Sequence, residues 1–135
     1  MSAWVKGELN FAITLPGGTS DAEGVTDHVP GFPFIVESVK AYFTVAATGT
    51  SATRVCNVVR TNVSTDATVA TATIALADGD TLGEEKAFTI GGATEFYETS
   101  KLSVMFPTAG AVAFTAGVIN LCIVYRTRVQ EIVGS

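Results

Sequence analysis

The sequence predicts an all-β protein, folded as an antiparallel β-sandwich that is jelly-roll-like and has about eight strands. β-Branched Val and Thr alternate with Ala and other small residues along much of the chain, as in half-buried strands. Gly, Pro and Asp-Gly turn signals separate these segments. No segment has the period of an amphipathic helix, so the helical crossovers of a parallel sheet are not predicted and an antiparallel sandwich or closed barrel remains.

The individual strands follow from the alternation and the turn signals. The first alternates Leu and Ile with small or polar residues and ends at Pro16-Gly17-Gly18. The Asp78-Gly79-Asp80 segment is predicted to be a tight polar turn, in the middle of the chain. The predicted strands span residues 9–15, 34–46, 54–61, 68–76, 86–90, 101–106, 112–114 and 118–127.

The 135 residues suffice for one domain with a single core. Three segments outside the strands are predicted to be exposed: an N-terminal arm (1–8), a long acidic loop (17–33) and a short C-terminal tail (128–135). The loop is assigned because it carries several acids and glycines with almost no periodicity. We therefore expect one sandwich with three projecting segments.

The composition indicates a protein that contacts a partner. Charged residues make up 16% of the chain, against about 25% in average soluble domains, and hydrophobic residues make up 47%. The segment 118–125 is apolar on both faces, which predicts a central strand covered on one side by the core and on the other by a second subunit or sheet. The Thr- and Ala-rich segment 68–76 fits either a thin sandwich core or a close-packed interface.

Charge and hydropathy argue against two classes of partner. The net charge is −5 and the basic residues are scattered, so a nucleic-acid surface is not expected. Arg126 and Arg128 share one strand face, but two cations are too few for a phosphate-binding stripe. No apolar run is long enough for a membrane helix, and the first residues lack the features of a signal peptide, which predicts synthesis in a cytoplasm and no membrane partner.

No catalytic, cofactor-binding or metal-binding residue is predicted, so we expect that the protein is not an enzyme. The single histidine, His28, lies in the acidic loop, far in sequence from the two cysteines. Cys56 and Cys122 lie outside any metal-ligand spacing and are predicted to be free, buried thiols. The acidic segment 78–85 departs from the ligand pattern of a calcium loop.

Contact residues are predicted mainly from the aromatic and apolar side chains near the ends of the three projecting segments. Aromatic residues anchor interfaces, although the same side chains could instead close the ends of the core. The predicted interface residues are Trp4, Val5, Phe32, Phe34, Tyr97 and Ile132.

The segment Leu76-Ala-Asp-Gly-Asp-Thr-Leu and the segment 101–126, which ends in an apolar strand and Tyr-Arg, resemble the capsid decoration, or cement, proteins of tailed bacteriophages. The resemblance covers roughly residues 34–128. It consists of strands rich in Thr, Ala and Val, an Asp-Gly-Asp turn, and a last hairpin that ends in an apolar strand and Tyr-Arg. It implies a virion protein on the capsid exterior that binds the major capsid protein at subunit junctions, often as a homotrimer, without cofactors or catalytic residues.

A second class of function remains open. Tail-fibre and head-fibre modules that bind receptors or carbohydrates have strands of the same residue composition. Such a module needs exposed aromatic side chains over a concave face, and Tyr42, Tyr97 and Tyr125 could supply them beside the single tryptophan.

Overall fold

The computed structural model describes residues 2–18, 20–49, 53–108 and 114–130. In these ranges it contains strands and one short 3-10 turn, η1 (Leu76–Gly79), with no α-helix. The strands are β1 (Ser2–Thr14), β2 (Ala22–His28), β3 (Phe34–Gly49), β4 (Thr53–Asn62), β5 (Thr65–Ala75), β6 (Lys86–Ala87), β7 (Thr89–Ile90), β8 (Glu95–Phe96), β9 (Lys101–Phe106) and β10 (Phe114–Gln130).

The strands form two antiparallel sheets, which confirms the predicted all-β sandwich. The first sheet has the order β1-β10-β3-β6, with the short β8 also paired to β3. The second sheet has the order β2-β9-β4-β5-β7. The jelly-roll topology stays a prediction. The described residues hold ten strands where about eight were expected. β2 and β8 are additional, the predicted strand at 86–90 is divided into β6 and β7, and β10 includes both Phe114, from the predicted strand at 112–114, and the predicted strand at 118–127.

The core lies between the two sheets. Along β10 the inward side chains Ile119, Leu121 and Ile123 alternate with outward ones and are at most 1% exposed. Leu102 and Val104 of β9 supply fully buried side chains from the second sheet. On the inner face of β10 and β9 every second side chain is thus buried, as the period-two pattern of the sequence predicts.

The central position predicted for the doubly apolar strand is confirmed, since β10 lies between β1 and β3. On its outward face Val118, Asn120 and Val124 are half-buried and Cys122 is buried. In β5, Val69, Ala70 and Ile74 belong to the buried core, in agreement with the thin-core interpretation of that segment.

The predicted terminal arm and tail prove to be strand in their described parts. Residues 2–8 form the first half of β1, and the last residues of β10 include 128–130. The register runs without interruption from Ser2 opposite Gln130 to Thr14 opposite Val118. The arm and the tail are therefore hydrogen-bonded to one another, a pairing that separate sequence patterns do not display.

The acidic segment 17–33 is not a loop throughout, because it contains β2, which pairs with β9. The alternation is weak there because β2 is an edge strand in which only Ala22 and Val25 are half-buried. The register of β2 shifts twice against β9, and Asp27 has a positive φ of 46°. An edge strand with so little burial carries little hydrophobic signal.

One glycine of β1 is required by close packing. A Cβ atom added to Gly7 would lie 2.4 Å from the Tyr125 hydroxyl oxygen, since the Tyr125 ring lies over this position on the neighbouring strand. The absence of a side chain at Gly7 therefore allows the Tyr125 ring to cover the end of the core.

Candidate interaction surface

The paired terminal strands extend past the core, and beyond Arg126, which still pairs with Ile35 of β3, they form a two-stranded ribbon. We define the terminal ribbon as residues 3–6 of β1 with 126–128 of β10. Val5 lies on the same side of β1 as the buried Ile13, but its side chain is 44% exposed where that of Ile13 is 2% exposed. Both faces of the terminal ribbon are thus accessible, because the second sheet does not cover its inner side.

The outer face of the terminal ribbon carries a tryptophan and three cations. Trp4 lies directly opposite Arg128, and Lys6 lies directly opposite Arg126. The guanidinium carbons of Arg126 and Arg128 are 4.9 and 5.1 Å from the centroid of the Trp4 ring. The arginines are held against the ring by cation–π attraction, so this acidic protein has a basic, aromatic surface at one end.

A groove lies where the terminal ribbon meets the body of the sandwich. Its volume is about 180 Å³, and Trp4 and Arg128 form its ribbon side. Phe34 and Phe96 line it, and Glu95 contributes its one acid. The hydroxyl of Thr127 donates a hydrogen bond to the Pro33 carbonyl oxygen at 2.6 Å, which fastens the ribbon to the chain that enters β3.

An aromatic cluster, formed by Phe32, Phe34, Phe96 and Tyr125, forms and underlies the floor of the groove. The rings of Phe34 and Phe96 are stacked, with their centroids 4.6 Å apart and their planes at 9°. The Tyr125 ring packs against Phe34 and Phe32 at 5.1 and 5.4 Å between centroids. These contacts fix the base of the terminal ribbon to β3 and β8.

Several predicted interface residues meet around this end of the molecule. Trp4 and Val5 lie on the terminal ribbon, and Tyr97, which is 52% exposed, follows Phe96 of the groove. Phe32 is half-buried in the aromatic cluster. Ile132 lies outside the described residues.

Phe34 differs from the other predicted contact residues. Its side chain is 3% exposed and belongs to the core. For Phe34, closing the end of the core is therefore its observed role, and a partner could reach it only through the groove.

The sequence did not reveal the basic character of this surface. Arg126 and Arg128 form only a pair in the sequence, and Lys6 is 120 positions away from Arg126 along the chain. The pairing of β1 with β10 adds Lys6 and Trp4 to that pair. The one sequence feature that pointed to this surface was the two-residue spacing of Arg126 and Arg128, which places both side chains on the same face of a strand.

A second surface depression lies away from the terminal ribbon, where the chain enters β2 and leaves β9. A depression of about 460 Å³ is lined by Asp21, Glu23 and Asn57 together with residues of 105–107. The hydroxyl and the backbone amide of Thr108 donate hydrogen bonds to Asp21, and they hold the pKa of this exposed carboxyl below its usual range. The Asp21 contacts join two turns, and we assign them a structural role.

Within the described ranges, His28 and the Cys, Asp and Glu side chains do not come together as a metal-binding group. His28 is exposed, and its ring forms a T-shaped contact with the Phe11 ring, with the two centroids 5.4 Å apart and the planes at 78°. Among these residues no three His, Cys, Asp or Glu side chains form a potential metal-binding group. No helix in the described part of the chain is long and apolar enough to cross a membrane.

No protein-family model, curated protein or solved structure matches this chain.

We expect both thiols to be inert in the folded protein. Cys56 is fully buried, and burial raises its pKa to about 12. Cys122 is 3% exposed, and burial together with the neighbouring Glu8 raises its pKa. Because the thiolate is the reactive form, a chromogenic disulfide reagent at neutral pH should modify neither cysteine in the native protein and both after denaturation. Rapid reaction of a native thiol would contradict the buried positions.

Proposed function

We propose that this protein is a structural virion protein that binds the outer surface of a bacteriophage capsid at subunit junctions and stabilises the head. Its partner is the major capsid protein, and its place is the capsid exterior. The observation that carries the proposal is the terminal ribbon, in which Trp4, Val5 and two arginines lie exposed at one end of the sandwich. The resemblance to decoration proteins supplies the kind of partner.

The terminal ribbon has the properties of a preorganised contact element. Trp and Arg are the residues most enriched among energetically dominant interface positions. The contact of Arg126 and Arg128 with the Trp4 ring reduces the side-chain freedom that binding would otherwise remove. The two arginines on this face favour an acidic surface on the capsid protein, whereas Lys6 already lies 3.5 Å from a carboxylate oxygen of Glu37.

Binding of this kind stabilises a shell by mass action. A protein that contacts two capsid subunits at once binds the assembled shell and not the separate subunits, so it shifts the equilibrium towards assembly. No catalytic group is needed for this activity.

Carbohydrate binding is the alternative that competes with this proposal. Trp4 and Tyr97 are exposed aromatic side chains near a groove, as a sugar site requires. Two guanidinium groups already lie over the Trp4 ring, however, and they compete with a sugar for its stacking surface. The arrangement therefore favours a protein contact over a sugar platform.

Cosedimentation with assembled shells of the major capsid protein tests the proposal. We expect the wild-type protein to sediment with shells and to leave unassembled subunits unbound. Trp4→Ala and Arg128→Glu should each weaken shell binding by at least about tenfold, since each removes a central contact. Lys101→Glu, a charge reversal on β9 of the other sheet, is the matched control and should bind normally.

Point substitutions are preferable to deletion of residues 1–8, because that deletion would remove half of β1 from the sheet. Equal shell binding by the wild-type protein and the Trp4→Ala and Arg128→Glu variants would contradict the assigned surface. Absence of shell binding combined with glycan binding that is lost on Tyr97→Ala would favour the carbohydrate alternative.

A further inference from the structure

β1 is a long edge strand whose outer side pairs with no other described strand. It spans Ser2–Thr14, contains no proline, and keeps a continuous register with β10 on its inner side. A regular edge of this length presents a row of backbone donors and acceptors to any strand that can lie beside it. The edge of β1 is therefore a surface suited to strand addition.

The other described edges are interrupted. The register of β2 contains two shifts, and β5 is covered at Ala70 and Thr71 by β7. β6 and β8 have two residues each. Bulges, short strands and covered edges are the usual means by which proteins prevent edge-to-edge pairing. β1 lacks these features over its described length.

The faces of β1 restrict how a second copy could pair with it. Leu9 and Ile13 point towards the core, whereas Lys6 and Glu8 point outward. In an antiparallel pair that continues the sheet, inward residues must lie opposite inward residues, so the paired residue numbers must add to an even number. The possible two-fold axes then pass through single residues of β1.

The charges distinguish among these axes. An axis through Lys6 places two lysines opposite each other, and an axis through Glu8 places two glutamates opposite each other, which is unfavourable in each case. An axis through Gly7 places Lys6 of each copy opposite Glu8 of the other. This register also pairs residues 2–12 of the two copies and thus uses almost the whole edge.

The surroundings of Lys6 and Glu8 leave both groups available for this contact. The Lys6 side chain is 75% exposed, and its nitrogen lies 3.5 Å from a carboxylate oxygen of Glu37. Arg126 lies directly opposite Lys6 on β10, so an additional carboxylate from a second copy would reduce the repulsion between the two cations. Glu8 is also exposed.

We infer that two copies of this protein pair antiparallel along β1 about a two-fold axis at Gly7, with Lys6 of each opposite Glu8 of the other. The pairing joins the two first sheets into one continuous sheet and satisfies the free backbone groups of both edges. It leaves Trp4, Arg126 and Arg128 of each terminal ribbon open, whereas Lys6 is engaged by Glu8 of the other copy. A two-fold pair differs from the homotrimer that the resemblance implies.

Light scattering over chain concentrations from micromolar to millimolar tests this inference. The wild-type chain should approach twice its 14.0 kDa mass as concentration rises. Lys6→Glu and Glu8→Lys should each raise the dissociation constant by at least about tenfold, since each converts both opposite-charge contacts into like-charge contacts. Lys101→Glu, the control on the second sheet, should dimerise as the wild type does.

Exchange of the charges provides the decisive comparison. The double variant Lys6→Glu/Glu8→Lys should recover the dimer, because each glutamate again faces a lysine. An equimolar mixture of the two single variants should form heterodimers, since one chain then carries two acids and the other two bases at these positions. Circular dichroism of each variant verifies that the fold is retained.

Three outcomes would overturn the inference: a wild-type chain that stays monomeric at millimolar concentration, a stable trimer, or a dimer that neither charge reversal weakens. The inference does not depend on the proposed function. Shell binding by the Glu8→Lys variant, which leaves the terminal ribbon unchanged, would leave the capsid proposal intact if that variant is monomeric. Dimers that do not bind shells would leave the strand pairing intact.

Discussion

Replacement of Arg54 by methionine is expected to lower the free energy of unfolding by about 3 kcal/mol, because one buried side chain holds two turns together. Arg54 is 2% exposed. Its Nη1 donates to the Gly18 carbonyl oxygen at 2.5 Å, and its Nη2 donates to the Ser20 carbonyl oxygen. On the other turn, Nε donates to the Pro107 carbonyl oxygen at 3.1 Å and Nη2 to that of Phe106 at 3.2 Å.

Methionine preserves much of the volume of Arg54 but donates no hydrogen bond. The carbonyl oxygens of both turns then lose a charged donor. The hydrogen bond to Phe106 is buried and the other three are partly buried, so part of the turns must open before water can replace the guanidinium group. Arg54→Lys should also destabilise, because an ammonium group lacks the planar fork that reaches both turns. Urea denaturation measures the change.

Arg128→Met is the matched control for Arg54→Met. Arg128 is exposed, and its contact with the Trp4 ring is expected to contribute at most about 1 kcal/mol. If Arg54→Met unfolded at the same urea concentration as the wild type, the four carbonyl contacts would not be a source of stability.

Replacement of Phe96 by alanine is expected to lower the free energy of unfolding by about 3 to 5 kcal/mol. The Phe96 side chain is 1% exposed and stacks on Phe34 in the aromatic cluster. Its removal leaves a cavity beneath the groove, since Phe34 and Tyr125 are themselves held by other contacts and cannot fill the space completely.

The exposed neighbour Tyr97 supplies the control for this substitution. Tyr97→Ala should change the free energy of unfolding by less than about 0.5 kcal/mol, since the side chain is 52% exposed. Phe96→Leu should lie between the two alanine variants, because it keeps more of the buried volume. Chemical denaturation of the three variants measures these differences. Equal free energies of unfolding for Phe96→Ala and Tyr97→Ala would contradict the assigned packing.

Phe96→Ala also relates the core to the candidate surface. The same ring closes the core and lines the groove beside Trp4. We therefore expect the substitution to affect both stability and the contact surface, whereas Tyr97→Ala should leave stability unchanged.

The sequence was most informative where a strand buries one complete face. The predicted strand at 34–46 lies within β3, and the predicted strand at 101–106 coincides with β9. In such strands the alternation of buried and exposed side chains is itself a consequence of the fold, so it can be recognised from local spacing. The same pattern failed for β2, where few side chains are buried.

The candidate surface was only partly predictable. The sequence indicated Trp4 and Val5 as contact residues because large apolar side chains near a chain end suggest an exposed interface. It also indicated Phe34, which the structure places in the core. A single aromatic residue has the same local appearance in both roles, and only its surroundings distinguish them.

The amino-acid sequence by itself determined the fold class, the central position of the doubly apolar strand and the burial of both cysteines. The tertiary structure alone decided that the two chain ends pair, that Lys6 joins the two arginines around Trp4, and that Arg54 binds four distant carbonyl oxygens. The physical reason is the distance along the chain. Side-chain alternation is a local property with a period of two residues, whereas strand pairing and register are set by contacts between residues that are far apart in the sequence.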